Sequence, residues 1–193
     1  MGKVKNKPEI EWVLPNNRGI IPMGKVHCSK SLKKIIKKNK FSISFNKNFN
    51  EVIKNCANRE KTWINSTIYD LFITLHQMGF AHSVEVSRNK DLVGGLYGLT
   101  LGSVFFAESM FSFFPNSSKL ALIAIMAKIN YGGFKVFDTQ FPSKHLNTLG
   151  GATISKEEFE QKLRYTTDNS ADFNRLPKLK NWDEFLRYGT CNK

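Results

Sequence analysis

The chain has 193 residues, which is enough to bury one core and to leave a modest appendage. Its net charge of +13 is lopsided, because residues 1–61 contain 15 Lys/Arg and 4 Asp/Glu whereas the remainder contains 14 and 12. Clustered cations favour a polyanionic partner, nucleic acid first, but a Lys- and Asn-rich surface whose charges are merely solvated explains the charge equally well.

The cysteines and the hydropathy pattern exclude several classes of protein. Cys28, Cys56 and Cys191 have neither the close pairs of a zinc site nor the even number of a disulfide framework. No segment approaches the roughly 18 consecutive apolar residues of a membrane span, and the N-terminus has no apolar run like that of a secretory signal. We therefore expect a cytoplasmic protein with reduced thiols and no metal site.

The first part of the chain predicts an irregular lead-in followed by a basic helix. Residues 1–30 are rich in Asn, Pro, Gly and Lys, a composition typical of irregular structure. From Ser31 to Lys40 the pattern is helical, with Leu32, Ile35 and Ile36 on one side. Four cations lie on the other side, where we expect them to contact the phosphates of a nucleic acid: Lys33, Lys34, Lys37 and Lys38.

The rest of the chain predicts alternating strands and helices. In chain order these are a strand at 41–45, helices at 48–57 and 66–79, strands at 81–87, 91–101 and 103–110, a helix at 116–131, a strand at 134–138 and a helix that ends at about residue 163. Ser155 and Glu158 form a capping box for the last helix, and Asn116, Ser117 and Ser118 are candidate caps for the apolar helix before it.

This order, β-α-α-β-β-β-α-β-α, predicts an α/β (α+β) fold in which helices flank a mixed sheet. It is similar to the acyltransferase fold of the GNAT superfamily, which is an analogy of fold alone. The Gly-rich turn that holds the pyrophosphate of coenzyme A in that superfamily is absent, because residues 114–119 are Phe-Pro-Asn-Ser-Ser-Lys.

Three polar side chains stand in otherwise apolar strands. Asp138 and Gln140 are two residues apart, so on an extended strand both project to one face. By the same alternation Glu108 lies between Phe106 and Met110 on one face, and burying its carboxylate without a partner is costly. Such groups are candidates for a functional site, although a strand-end Asp that caps a turn explains Asp138 as well.

Several motifs occur in a fixed order along the chain. They are Lys-Thr-Trp-Ile at 61–64, Leu-His-Gln-Met-Gly at 75–79, Ala-His-Ser-Val-Glu-Val at 81–86, Gly-Gly-Leu-Tyr-Gly at 94–98, Phe-Phe-Ala-Glu-Ser-Met-Phe at 105–111, Phe-Asp-Thr-Gln at 137–140 and His-Leu-Asn-Thr-Leu-Gly at 145–150. With these motifs the chain resembles the leucyl/phenylalanyl-tRNA–protein transferases from about Trp12 to about Arg164.

The resemblance implies a function and a set of site residues. It implies transfer of Leu or Phe from aminoacyl-tRNA to the N-terminal Lys or Arg of an acceptor protein, which marks that protein for N-end-rule degradation. It implies no cofactor, and we expect a monomer. By resemblance Asp138 and Gln140 lie at the reaction centre. The residues that match an aminoacyl-adenosine site are Trp63, Leu96, Phe105, Glu108 and Met110.

The resemblance also implies a division of the chain. The family carries a small N-terminal domain, of which only residues 12–18 have a counterpart here, so we expect residues 1–40 to be a reduced basic segment and residues 41–193 to form a GNAT-like domain. Two other functions stay open on the sequence: a coenzyme A-dependent acyltransferase, and a noncatalytic RNA-binding relative of the transferases.

Overall fold

A single mixed sheet organises the described part of the chain. The computed structural model describes residues 13–38, 41–166, 171–175, 179 and 181–190. The strands are β1 (Asn17–Ile20), β2 (Ser42–Phe45), β3 (Ala81–Arg88), β4 (Asp91–Leu101), β5 (Val104–Ser112), β6 (Val136–Gln140) and β7 (Ala152–Ser155). They lie in the order β2-β3-β4-β5-β6-β1-β7, and every neighbouring pair is antiparallel except β5 with β6.

Helices cover both faces of this sheet. They are α1 (Lys30–Lys37), α2 (Phe49–Ala57), α3 (Ser66–Gln77), α4 (Ser117–Tyr131), α5 (Lys144–Thr148), α6 (Lys156–Thr166) and α7 (Trp182–Gly189). Helix α4 is buried on every side from Leu120 to Ile129, because it packs against the central strands and is itself covered by α7. The sequence predicted a buried helix here from its apolar character all round.

The opposite face of the sheet carries two smaller apolar clusters. Helices α2 and α3 close one of them over Tyr97 of β4 and Phe111 of β5. Helix α6 closes the other, where Phe159 packs against Val104 of β5 and Val136 of β6. The predicted mixed sheet flanked by helices is therefore confirmed, and the predicted elements agree with the structure to within a few residues at their ends.

Four elements were not predicted, and one of them corrects the expected irregular lead-in. Residues 17–20 form β1, which is inserted between β6 and β7. The composition of this segment does not predict a strand, because the segment has no apolar alternation of its own. Pairing with β6 and β7 holds it in the sheet. The other unpredicted elements are α5, β7 and α7.

Of the N-terminal caps predicted for α6 and α4, the structure contains the first and lacks the side-chain cap at Asn116. Ser155 accepts a hydrogen bond from the backbone N–H of Glu158 at 3.2 Å, as predicted for the start of α6. The side-chain cap expected at Asn116 is wrong, because this residue has φ 72° and its side chain makes no capping bond. Instead the Ser112 hydroxyl accepts from the backbone N–H of Ser118 at 3.4 Å.

The division of the chain at residue 40 stays a prediction. Within the described residues, β1 belongs to the same sheet as the strands that follow, while Trp12, residues 39–40 and Cys191 lie outside the described ranges. In those same ranges no helix combines the length and the apolar character needed to cross a membrane.

Candidate active site

The sheet divides where β5 and β6 part. The two strands run parallel and pair only at Val104–Phe106 with Val136–Asp138, after which β5 continues beside β4 and β6 continues beside β1. We call this divergence the fork. It leaves two strands side by side without hydrogen bonds between their backbones, so the space between them is open to side chains and to a ligand.

A cleft of about 220 Å³ occupies the fork. Its walls come from β4, β5, β6, the α2–α3 loop, α4 and α5. The lining residues are Arg59, Leu96, Ala107, Glu108, Ser109, Met110, Leu122, Phe137, Thr139 and Leu146. Five of these side chains are apolar and larger than alanine, which suits the aliphatic or aromatic group of a ligand.

A β-bulge in β5 places Glu108 at this cleft. Tyr97 pairs with Ser109 and Gly98 pairs with Ala107, so Glu108 has no partner on β4. A side chain on Gly98 would collide with the carbonyl oxygen of Phe106, which explains why glycine stands opposite the bulge.

The bulge overturns the expected alternation along β5. Phe106 packs in the cluster beneath α6, whereas Met110 packs against the main core on the α4 side, so the two lie on opposite faces of the sheet. The expectation that Phe106, Glu108 and Met110 share a face is therefore wrong. One extra residue reverses the parity of every side chain that follows it.

The Glu108 carboxyl lies at the fork, where its neighbours affect its pKa. Burial raises its pKa from 4.5 to about 7, and the negative charge of Asp138 adds to the shift. A hydrogen bond from Gln140 and the positive charge of Arg18 act in the opposite direction. The carboxyl thus exchanges its proton near neutral pH and can become ionised beside a cationic ligand.

Asp138 is fully buried and bound on both oxygens. Arg18 donates from Nε to Oδ1 at 2.8 Å and from Nη2 to Oδ2 at 2.6 Å. The backbone N–H of Gln140 donates to Oδ1 at 3.0 Å. Burial raises the pKa of the Asp138 carboxyl, and these donors oppose the shift. Asp138 is not among the residues that line the cleft. Because it accepts three hydrogen bonds, its carboxylate orients Arg18 and the backbone of Gln140.

Gln140 connects the two diverging strands. Its Nε2 donates to the carbonyl oxygen of Ala107 at 3.1 Å, and its amide lowers the pKa of the Glu108 carboxyl. The backbone of Gln140 has φ 67°, so the strand is not extended there and the argument from a shared face does not hold. On the extended strand that the sequence predicted, Phe137 and Thr139 would project to the face opposite Asp138 and Gln140. It is nevertheless Phe137 and Thr139 that line the cleft.

The predicted aminoacyl-adenosine residues separate into three groups. Leu96, Glu108 and Met110 line the cleft. Phe105 lies one layer behind, fully buried, with its ring stacked on Phe137 at 5.5 Å between centroids. Trp63 does not line the cleft and packs edge-on to Phe72 at 6.5 Å in the cluster under α3.

Other residues at the fork were not selected as site residues from the sequence. Arg59 follows α2 in an ordinary polar loop, and Leu146 belongs to a helix of five residues that periodicity does not detect. Arg18 stands in the segment expected to be irregular, 120 residues from its partner Asp138. Only the tertiary structure brings these residues to the fork.

The predicted tRNA-binding lysines lie on α1 and, for Lys38, at its C-cap. Leu32 and Ile36 are buried and Ser29 caps the helix, accepting from the backbone N–H of Leu32. The cations that remain in solvent are Lys34, Lys37 and Lys38, while Lys33 is half-buried. Among the described residues no three His, Cys, Asp or Glu side chains are grouped closely enough to hold a metal ion.

The fold places the chain beside known proteins with a similar sheet. The crystal structure of FemX superposes with a TM-score of 0.56 at 12% identity, covering 80% of this chain and 62% of that one. At this identity the similarity concerns the fold alone, and it agrees with the GNAT-like sheet expected from the sequence.

The sequence comparisons are more specific. The family model of leucyl/phenylalanyl-tRNA protein transferase matches residues 20–164, so the chain belongs to that family. A leucyl/phenylalanyl-tRNA–protein transferase of Dinoroseobacter shibae is 40% identical over 92% of this chain and 79% of that relative. The corresponding protein of Maricaulis maris is 41% identical over 92% and 84%.

Proposed function

We propose that this protein transfers leucine or phenylalanine from aminoacyl-tRNA to the N-terminal Lys or Arg of an acceptor protein, which marks the acceptor for N-end-rule degradation. Membership of the family supports this proposal. The observation that carries it is the position of Glu108, which a β-bulge places beside an apolar cleft.

The cleft suits the aminoacyl end of a tRNA. Leu96, Met110 and Phe137 offer apolar walls to a Leu or Phe side chain. The α-amino group of the aminoacyl ester is a cation, and Glu108 is the one acid among the described residues that line the cleft. A carboxylate opposite that cation would fix the orientation of the donor.

The reaction needs alignment rather than a nucleophile on the enzyme. The acceptor amine attacks the ester carbonyl carbon, an amide bond forms, the bond to the ribose oxygen breaks, and that oxygen takes up a proton while the amine loses one. Catalysis therefore rests on positioning, on proton transfer and on donors near the developing oxyanion.

Asp138 and Gln140 are our proposed residues for this step. Gln140 stands at the fork next to Glu108, where its amide can contact the reacting groups. Asp138 accepts the backbone N–H of Gln140 and so holds that residue in its left-handed conformation. We propose that Phe105 supports the cleft from behind and that Trp63 contributes from the neighbouring loop.

The body of the tRNA is proposed to bind the basic face of α1. Lys34, Lys37 and Lys38 are exposed there, with Lys33 beside them, and none of the four has an ion pair among the described residues. We also propose that the protein acts as a monomer, as we expected from the sequence.

Transfer of labelled Phe from Phe-tRNA to a peptide with N-terminal Lys tests the function. We expect transfer to that peptide and none to the same peptide with N-terminal Asp. Acetyl coenzyme A offered in place of the tRNA should acetylate neither peptide. A folded protein that binds Phe-tRNA but leaves both peptides unlabelled would contradict the proposal and favour the RNA-binding alternative.

A further inference from the structure

Arg59 stands at the edge of the cleft with its guanidinium fixed in direction. Its Nε donates to the carbonyl oxygen of Cys56 at 2.8 Å. Its Nη2 donates to Ser109 Oγ at 2.8 Å and to the carbonyl oxygen of Met110 at 3.0 Å. The first bond ties the α2–α3 loop to α2, the other two tie it to β5, and together they determine where the rest of the guanidinium points.

The charge of Arg59 is not neutralised by the protein. Within the described ranges no carboxylate forms an ion pair with it, and its Nη1 donates no hydrogen bond. The residue is exposed, and it is the one cation among the described residues that line the cleft. An immobilised guanidinium with two open N–H groups is suited to bind an anion from solvent.

We infer that Arg59 binds the phosphodiester that joins the terminal adenosine of the donor tRNA to the preceding nucleotide. This inference rests on the proposed function. The aminoacyl ester and the adenosine carry no negative charge, so this phosphate is the first anion of the donor outside the cleft. The acceptor is not the ligand of Arg59, because the positive charge of an N-terminal Lys or Arg would be repelled by the guanidinium.

Two donor analogues isolate the phosphate. One is the stable 3′-phenylalanylamide of 3′-amino-3′-deoxyadenosine, and the other is the same compound with a 5′-methylphosphate diester. The wild-type protein should bind the diester about tenfold to a hundredfold more tightly, the scale of a hydrogen bond to a charged group. Isothermal titration at moderate ionic strength measures both constants.

Arg59→Gln removes the charge and keeps N–H donors near the carbonyl oxygens of Cys56 in α2 and Met110 in β5. We expect this variant to bind both analogues alike, with the affinity of the wild-type protein for the uncharged one. Lys61→Gln is the matched control, since Lys61 is an exposed cation of the same loop that does not line the cleft. It should keep the full preference for the diester.

Three results would overturn the inference: Arg59→Gln keeps the preference, Arg59→Gln loses affinity for both analogues to the same extent, or Lys61→Gln abolishes the preference. If circular dichroism shows that Arg59→Gln does not fold, Arg59→Lys replaces it in the test, because lysine keeps the charge without the planar guanidinium. A lysine variant with an undiminished preference contradicts binding by the guanidinium. If the wild-type protein binds neither analogue, the proposed function itself fails.

Discussion

Arg18 of β1 and Asp138 of the neighbouring strand β6 form a two-point ion pair, with N–O distances of 2.8 and 2.6 Å between residues 120 positions apart. The guanidinium also lies 4.6 Å from the centre of the Phe159 ring, so α6 covers it. Because Asp138 accepts the backbone N–H of Gln140, the pair connects β1 to the polar groups at the fork.

Replacing Arg18 by Met should destabilise the fold. The Asp138 carboxyl would stay buried without its partner, a change that typically costs about 3–5 kcal/mol. Urea denaturation measures the loss. The double variant Arg18→Met/Asp138→Leu should recover part of this stability, because it removes the unpaired charge. If the single variant were as stable as the wild-type protein, the ion pair would not hold β1 in place.

Replacing Asp138 by Asn should lower kcat by roughly 10²-fold or more, the scale of losing positioned acid–base or electrostatic help. Gln140→Ala should act in the same direction. The two losses should combine less than additively, because Asp138 acts through the backbone of Gln140. Single-turnover transfer from saturating Phe-tRNA, with circular dichroism as the folding control, gives the rates. An unimpaired, folded Asp138→Asn protein would refute a role for this strand in the chemistry.

Replacing Glu108 by Gln should raise the donor KM and remove a pH dependence. In the free protein burial raises the pKa of Glu108 to about 7, so donor affinity should increase as the pH rises from about 5 to about 7. The α-amino group of the donor, with a pKa of about 7.7–8.0, stays protonated over this range. Titration of both proteins with the stable phenylalanyl-adenosine amide at several pH values measures the donor affinity. Equal affinity and equal pH profiles in both proteins would make Glu108 a structural residue.

The Glu108 carboxyl should also make the free energy of unfolding depend on pH, in the direction opposite to donor affinity. Its pKa is 4.5 in the unfolded chain and about 7 in the folded protein, so the unfolded state binds fewer protons between these values. Stability therefore falls as the pH rises through this window. In Glu108→Gln that contribution is absent, and the difference in urea midpoint between pH 5 and pH 7 should be smaller than in the wild-type protein.

Replacing Lys33, Lys34, Lys37 and Lys38 by Ala should weaken tRNA binding and flatten its salt dependence. Each lost phosphate contact lowers the slope of log K against log salt by about 0.7–0.9. Filter binding at several salt concentrations gives the slope. A variant with four scattered exposed lysines replaced, Lys47, Lys54, Lys90 and Lys135, carries the same change in charge and should keep most of the slope. Identical slopes in the two variants would exclude a specific role for α1.

Local pattern was enough to predict much of the fold. The meander of β3, β4 and β5 and the buried helix α4 follow from period and composition, because the type of each element shows in its own residues. The motifs from Lys61 to Gly150 also sufficed to recognise the family. Leu96, Glu108 and Met110 were selected from those motifs, and they meet at one cleft.

What the sequence by itself determined about this protein is therefore its class, its central elements and the residue types available for chemistry. Only the tertiary structure decided how these residues meet. The bulge at Glu108, the left-handed backbone at Gln140 and the pairing of Arg18 with Asp138 depend on strands that are distant along the chain. Periodicity reports the burial of a residue among its near neighbours, whereas these features arise from close packing between remote segments.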